Sequence, residues 1–334
     1  MPKISVVMSV YKEPVDWMRQ SIESIINQTF TDFEFIIIND KPDREENAQL
    51  LNEYAQKDNR IKIITNEENI GLTKSLNKGI SVAKGEYIAR MDADDISLPN
   101  RFSVQMSFLE EHPNMAVCSS GCYIIDEDNN IIGERNRELN YQKIKNNLIF
   151  ECPLVHPSVI FKRSVDSKVV QYDESIRYAQ DYALWVEICK NHEVHILPQK
   201  LVRYRKSGSQ ISTKRLKEQN EFAFIIIGRA IEYFHIQITE EQKEFFLAFV
   251  KNGSKEYSCN QIEEFIMAFY AQNKSNKIVE PKEIVRKLIL YYVRFLYKKY
   301  SFQFSIHRLI VVSVKLRYYS IYCMASLVSK YIFR

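Results

Sequence analysis

Apolar and polar positions come in alternating blocks over the first hundred residues, and the blocks switch between two periods. ISVVMSV (4–10) is a short, continuous apolar run rich in Val, which reads as a buried strand. EPVDWMRQSIESIINQ follows, with Met18, Ile22, Ile25 and Ile26 on one helical face and Pro14 near the helix start. FEFIII (33–38) is a second buried strand, ending at Asn39-Asp40. A charged helix is expected over 43–57, and IKIIT (61–65) is a third strand. In GLTKSLNKGISVAKG, Leu72, Leu76 and Ile80 recur at i, i+4 and i+8, and Gly85 stands where a left-handed C-terminal cap is expected. A strand over 86–91 then runs into Asp92, Asp94 and Asp95. This alternation predicts an α/β fold, a doubly wound parallel sheet.

Such sheets bind ligands beyond the carboxyl ends of their strands. Three polar segments stand at those ends: YKEP after the first strand, NDKPD after the second and DADD after the fourth. The pattern changes after Pro99. A helix over 99–111 precedes MAVCSSGCYIID and NIIGE, which read as a hairpin turning at Asp128-Asn129-Asn130. A mixed region runs to residue 215, and the chain reads as helices from 216 onward. Thr239 and Gln242 form a capping-box pattern ahead of Phe245, Phe246 and Phe249. The expected division is therefore 1–215 and 216–334, with a distinct tail over 281–334.

Composition narrows the class. The six cysteines are scattered without a CxxC pair, which fits reduced structural thiols better than a disulfide framework or a zinc site. The first apolar run is too short for a signal peptide, and no window reaches the roughly 18 apolar residues of a spanning helix. A cytoplasmic protein is expected. The net charge of +4 is uneven. Residues 281–334 hold eleven Lys/Arg and one acid, a surplus of ten; the remainder carries 35 basic against 41 acidic side chains. An acidic body thus carries a basic, aromatic tail. Its apolar faces and snorkelling cations suit an anionic membrane surface, with packing on the body or on a second subunit of a homodimer as the alternative. Nucleic acid ranks last, because no binding motif accompanies the charge.

Asp-x-Asp at a strand end is a platform for Mg²⁺ or Mn²⁺, because carboxylate oxygens are hard ligands. The cation would offset the repulsion among adjacent acids. The alternative is a solvated loop with Asp95 or Ser97 capping the next helix. The whole set of motifs resembles family 2 glycosyltransferases of the bacterial surface-polysaccharide type: ISVVMSVYKEP, FEFIIINDKPD, NIGLTKSLNKGISVAKGEYIARMDADDISLPNRF, HPSVIF, QDYALW and YRKSGSQIS. The resemblance runs from Pro2 to Lys214. It implies a GT-A type doubly wound mixed sheet with a Rossmann-like N-terminal half. It also implies an inverting enzyme that takes a UDP-sugar donor and a saccharide or lipid-linked acceptor at the inner face of the plasma membrane.

By the same resemblance, Val10, Tyr11 and Glu13 hold uridine and ribose, and Asp40 reads the uracil edge. Asp92 leans towards ribose and donor sugar, Asp94 ligates the metal, and Asp181 is the catalytic base. Read from the residues alone, Asp181 is better taken as a plain N-cap; the order of the motifs favours the base. His156 in VHPS is either an acceptor-side or phosphate contact or a hydrogen-bonded loop residue. Arg203 to Arg215 holds five cations among glycine and serines, a pattern that suits a lid over the diphosphate with Arg205 as its contact. Gln180 and Ser207 depart from the family's usual Glu and His. Two rivals remain: a nucleotidyltransferase, disfavoured because YKEPVDW has no glycine, and a membrane-docked assembly subunit with a decayed site.

Overall fold

The computed structural model describes residues 1–136, 138–208, 215–252, 257–299 and Arg308. They fall into two compact units: Met1–Ile144 with Cys152–Ile226, and Lys145–Glu151 with the chain from Ile227 onward.

The first unit is built on a mixed sheet. β1 (Ile4–Val10), α1 (Val15–Ile26), β2 (Phe33–Asn39), α2 (Glu45–Lys57), β3 (Ile61–Thr65), α3 (Leu72–Val82) and β4 (Tyr87–Asp92) alternate as the apolar blocks predict. β3, β2, β1 and β4 lie side by side and parallel. The short β5 (Ile96–Ser97) and α4 (Arg101–Glu111) follow, then the hairpin of β6 (Met115–Ile125) and β7 (Ile131–Arg135). The hairpin turns where expected, with Asn129 at φ 69°. α5 (Tyr141–Leu148), a 3-10 turn (His156–Ser158), β8 (Ile160–Lys162) and the small ribbon β9 (Ser164–Val165) and β10 (Lys168–Val169) come next. α6 (Gln180–Asn191) and the long β11 (Glu193–Arg205) complete the unit's strands. β8 inserts antiparallel between β4 and β6, β11 runs parallel to β6, and β5 closes the far edge. The fold is the expected α/β type with a mixed sheet.

The core confirms the two-faced burial of the parallel strands. Val6, Met8, Phe35 and Ile37 are fully buried, as are Met18, Ile22 and Ile25 on the inner face of α1. Gly85 is a correction. It does not adopt the left-handed conformation; α3 ends at Val82 with extended Ala83 after it. Glycine is required there for close approach instead, because a Cβ would lie 2.5 Å from the Ser5 nitrogen. The left-handed glycine is Gly71, at φ 85° just before α3.

In the second unit, helices span Glu240–Asn252, Cys259–Asn273 and Pro281–Lys299. The helix Leu216–Tyr233 begins in the first unit and ends in the second. The Thr239 capping box is present: its Oγ1 accepts from Gln242 N at 3.1 Å, and its N–H donates to Gln242 Oε1 at 2.9 Å. Ser258 and Gln261 form a second box that the sequence reading missed. Phe246 and Phe269 are buried against each other and Phe265, and Phe249 is buried against Phe245 and Tyr291. The apolar face of the helix Pro281–Lys299 is buried as well: Ile284, Leu288, Ile289, Tyr292 and Leu296 are at most 1% exposed. Over that stretch of the basic tail, packing inside the unit takes the apolar face. The tail beyond 299, Arg308 excepted, lies outside the described residues. No helix among the described residues is long and apolar enough to cross a membrane.

Candidate active site

Register brings the three polar strand ends together. Val10 pairs with Asn39 on one side of β1, and Ser9 with Asp92 on the other. Val10 is fully buried, so it offers only its main chain, and its carbonyl accepts Asp40 N at 2.9 Å. Tyr11 is exposed at the mouth, with Lys12 Nζ 5.2 Å from its ring centre. The Glu13 carboxylate turns back to accept Tyr11 N at 2.7 Å, and burial raises its pKa. Asp40 is buried and accepts three bonds: from Asn66 Nδ2 at 2.8 Å and from Ile70 N and Gly71 N, both at 2.9 Å. It therefore braces the loop that leads into α3. A carboxylate has about four acceptor positions, so one is left for a ligand.

Asp92, Asp94 and Asp95 form the acidic turn, with ligand oxygens all within 4.8 Å of one another. Each is held differently. Asp92 is paired with the buried Arg90, whose Nη2 donates to Asp92 Oδ1 while Nη1 lies in ion-pair contact with Oδ2. Asp95 is fully buried; one oxygen accepts Arg205 N at 2.6 Å, and the other has no hydrogen-bond partner among the described residues. Burial, with Asp94 and Asp92 beside it, raises the Asp95 pKa well above the carboxylate range. Asp94 is half-buried. Three clustered hard oxygens and an orphaned carboxylate oxygen suit a divalent cation such as Mg²⁺ or Mn²⁺. Asp94 and Asp95 are the residues that would hold it, since Asp92 already has a cation.

Arg205 stands elsewhere than a lid contact would. It ends β11 and its side chain is fully buried. The guanidinium donates to the carbonyls of Asp94 (2.7 Å), Asp126 (3.1 Å) and Glu127 (3.2 Å), to Gln20 Oε1 (3.0 Å) and to Asn129 Oδ1 (2.8 Å). It also lies 4.7 Å from the Trp17 ring centre. It ties the acidic turn to the hairpin and to α1 instead of reaching outward. Residues 209–214 of the expected lid lie outside the described residues.

Asp181 enters from the second half of the unit. It belongs to the first turn of α6, whose N-cap is Ala179, so the plain N-cap alternative is not what the chain adopts. Burial raises its pKa above the ordinary aspartate value, while the Tyr182 amide and Arg90 pull the other way. Around it, His156 Nε2 and the Tyr172 hydroxyl are 2.8 Å apart, and Trp185 packs edge-on to His156. Burial and Arg90 hold the His156 pKa well below the usual imidazole value. Tyr172 is fixed from α3: Asn77 donates to its carbonyl at 3.0 Å and accepts its N–H at 2.8 Å.

The family profile described as Glycosyl transferase family 2 matches residues 5–170. An uncharacterized glycosyltransferase of Methanocaldococcus jannaschii is 38% identical over 225 residues, 67% of this chain and 77% of that one. The chain belongs to glycosyl transferase family 2. The O-antigen biosynthesis glycosyltransferase WbnJ of Escherichia coli is similar at 37% over 206 residues, 60% of this chain and 79% of that relative. Among solved structures, S. aureus TarS 1-349 in complex with UDP-GlcNAc matches with a TM-score of 0.59 at 16% identity, over 94% of this chain and 91% of that one. At that identity the likeness is one of fold. In this family 2 glycosyltransferase, the polar ends of β1, β2 and β4 lie side by side at one end of the parallel strands. The reasoning missed Arg90, Tyr172 and Asn77. A signal for Arg90 was present: a lone cation in an apolar strand, two residues before an aspartate. Tyr172 and Asn77 lie 95 residues apart, and no local pattern joins them.

Proposed function

We propose that this glycosyltransferase is metal-dependent and inverting, and that it moves a sugar from a UDP-sugar to a saccharide or lipid-linked saccharide in surface-polysaccharide synthesis. One observation carries the reading: Asp92, Asp94 and Asp95 bring their carboxylate oxygens within 4.8 Å of one another at the end of β4, a platform suited to a divalent cation and a donor diphosphate. Asp181, half-buried in the first turn of α6, is the carboxylate available as the acceptor's base. Inversion needs only one base, opposite the leaving group, to take the acceptor's proton. Asp181 has that role here, and its raised pKa moves it towards a working base. Val10 and Tyr11 frame the nucleoside with Glu13 behind them, and Asp40 offers its remaining acceptor position to the uracil imide. Asp92 accepts donor hydroxyls. A cation, Mn²⁺ or Mg²⁺, held by Asp94 with Asp95 beside it, would supply charge stabilisation for the leaving diphosphate. His156, bonded to Tyr172 and packed on Trp185 of α6, faces the acceptor side.

WbnJ's role in O-antigen synthesis supports a surface-polysaccharide product, and the TarS complex with UDP-GlcNAc supports a UDP-sugar donor. The basic, aromatic sequence beyond 299 suits the anionic inner face of a plasma membrane. The test is a donor panel of UDP-Glc, UDP-Gal, UDP-GlcNAc and UDP-GalNAc with Mn²⁺, read as UDP release. Asp94→Ala is expected to abolish metal-dependent UDP binding. Binding that survives in Asp94→Ala, or release from none of the four donors, refutes the proposal.

A further inference from the structure

Arg90 has no role in the mechanism above, yet it touches both halves of the site. It is 2% exposed, in the middle of β4. Its backbone is locked: the N–H donates to Val159 O at 3.1 Å, and the carbonyl accepts Arg101 Nη2 at 3.0 Å. Arg101 is itself fully buried and bonded to Gln105 and Val159. A buried guanidinium is costly without a counter-charge, and Asp92, two residues on along the same strand face, supplies it. Asp95, Asp181, Tyr172 and His156 are the other titratable groups within its field.

We propose that Arg90 is a positioning residue of the donor site: its two-pronged grip fixes the Asp92 carboxylate and turns that carboxylate's free lone pairs to donor hydroxyls. One of about four acceptor positions on the carboxylate takes the Nη2 hydrogen bond and the second oxygen faces Nη1 in an ion-pair contact, which leaves acceptor positions free. A lysine keeps the charge but not the fork, because its ammonium is a point donor. The grip, and not the charge alone, is what donor binding senses. This rests on the UDP-sugar reading above.

The test compares the parent, Arg90→Lys, Asp92→Asn and the double variant. Donor KM is measured at saturating Mn²⁺ with the donor the panel selects, and Mn²⁺ binding without donor is followed by electron paramagnetic resonance. Arg90→Lys is expected to raise donor KM at least tenfold and to leave Mn²⁺ affinity within twofold. The double variant is expected to fall within threefold of the worse single one, since both changes break one device. Effects that multiply in the double variant, or an unchanged KM in Arg90→Lys, overturn the proposal. If Arg90→Lys does not fold, Asp92→Glu substitutes for it: one methylene displaces the gripped carboxylate, and an unchanged KM overturns the proposal equally. A parent that binds Mn²⁺ but turns over no UDP-sugar overturns the donor reading, and this inference with it.

Discussion

Arg205→Ala separates two roles for one residue. A lid contact to phosphate would be exposed when no donor is bound, and its loss would raise donor KM while sparing stability. The structure instead buries the guanidinium against three carbonyls and two side-chain oxygens. Hydrogen bonds to a charged group are worth about 1.5–3 kcal/mol each. They do not add, because the exposed hairpin turn can take up water once the arginine is gone. An acceptor left buried without its donor costs about 1–3 kcal/mol, and with several acceptors partly re-solvated an expected loss of about 2–4 kcal/mol in unfolding free energy follows. Urea unfolding followed by far-UV circular dichroism measures it, with the slope compared to the parent to confirm a common denatured state. Because Asp94 hangs from the same guanidinium, metal-dependent UDP binding should fall as well. A variant that keeps its unfolding free energy within about 0.5 kcal/mol, the scatter of ordinary surface changes, while its donor KM rises, would refute the tie and restore the lid contact.

Asp181→Asn should keep UDP binding and lower kcat by about 10²–10⁴, the usual share of a general base. The pH profile gives a second readout. Burial raises the Asp181 pKa, so the active, ionised form is present above that raised value and is lost as pH falls through it. The parent's acid limb should thus lie above the pH of an ordinary aspartate and vanish in the Asn variant; an unchanged limb assigns the base elsewhere. Gly85→Ala should destabilise by about 1–3 kcal/mol or more, since its Cβ would meet the β1 backbone at 2.5 Å. Thermal unfolding checks this, and an unchanged midpoint would refute the close approach.

The parallel half of the sheet was legible because its strands are buried on both faces. Runs such as ISVVMSV and FEFIII then have no competing period, and the structure returns them with the ends moved by at most one residue. Gly85 was misread for a physical reason. Sequence shows that glycine is needed but not whether φ or space demands it, and here space does. The strand-end carboxylates were legible as a group because parallel topology forces strand ends together. The tasks of Arg90 and Arg205 were not. Their partners are set by how β4, β11 and the hairpin meet, and a cation in a strand looks the same in sequence whether it points outward or in. The Asn77–Tyr172 clamp was hidden for the same cause, since it joins α3 to a loop with no periodicity of its own.

The acidic turn raises an energetic question that these arginines answer. Two like charges about 4 Å apart near a protein surface repel by about 4 kcal/mol, so three ionised carboxylates in mutual contact would strain the turn heavily. The chain removes most of that cost without a metal. Asp92 is paired with Arg90 as a nearly neutral unit. Asp95 keeps its proton to higher pH than an ordinary carboxylate, and its one bonded oxygen takes the Arg205 amide. Asp94, beside it, has its own carbonyl held by the Arg205 guanidinium. The turn is thereby folded before any ligand arrives, with an orphaned Asp95 oxygen beside Asp94. On the proposed reading, a cation held there would serve donor binding and chemistry rather than hold the fold together.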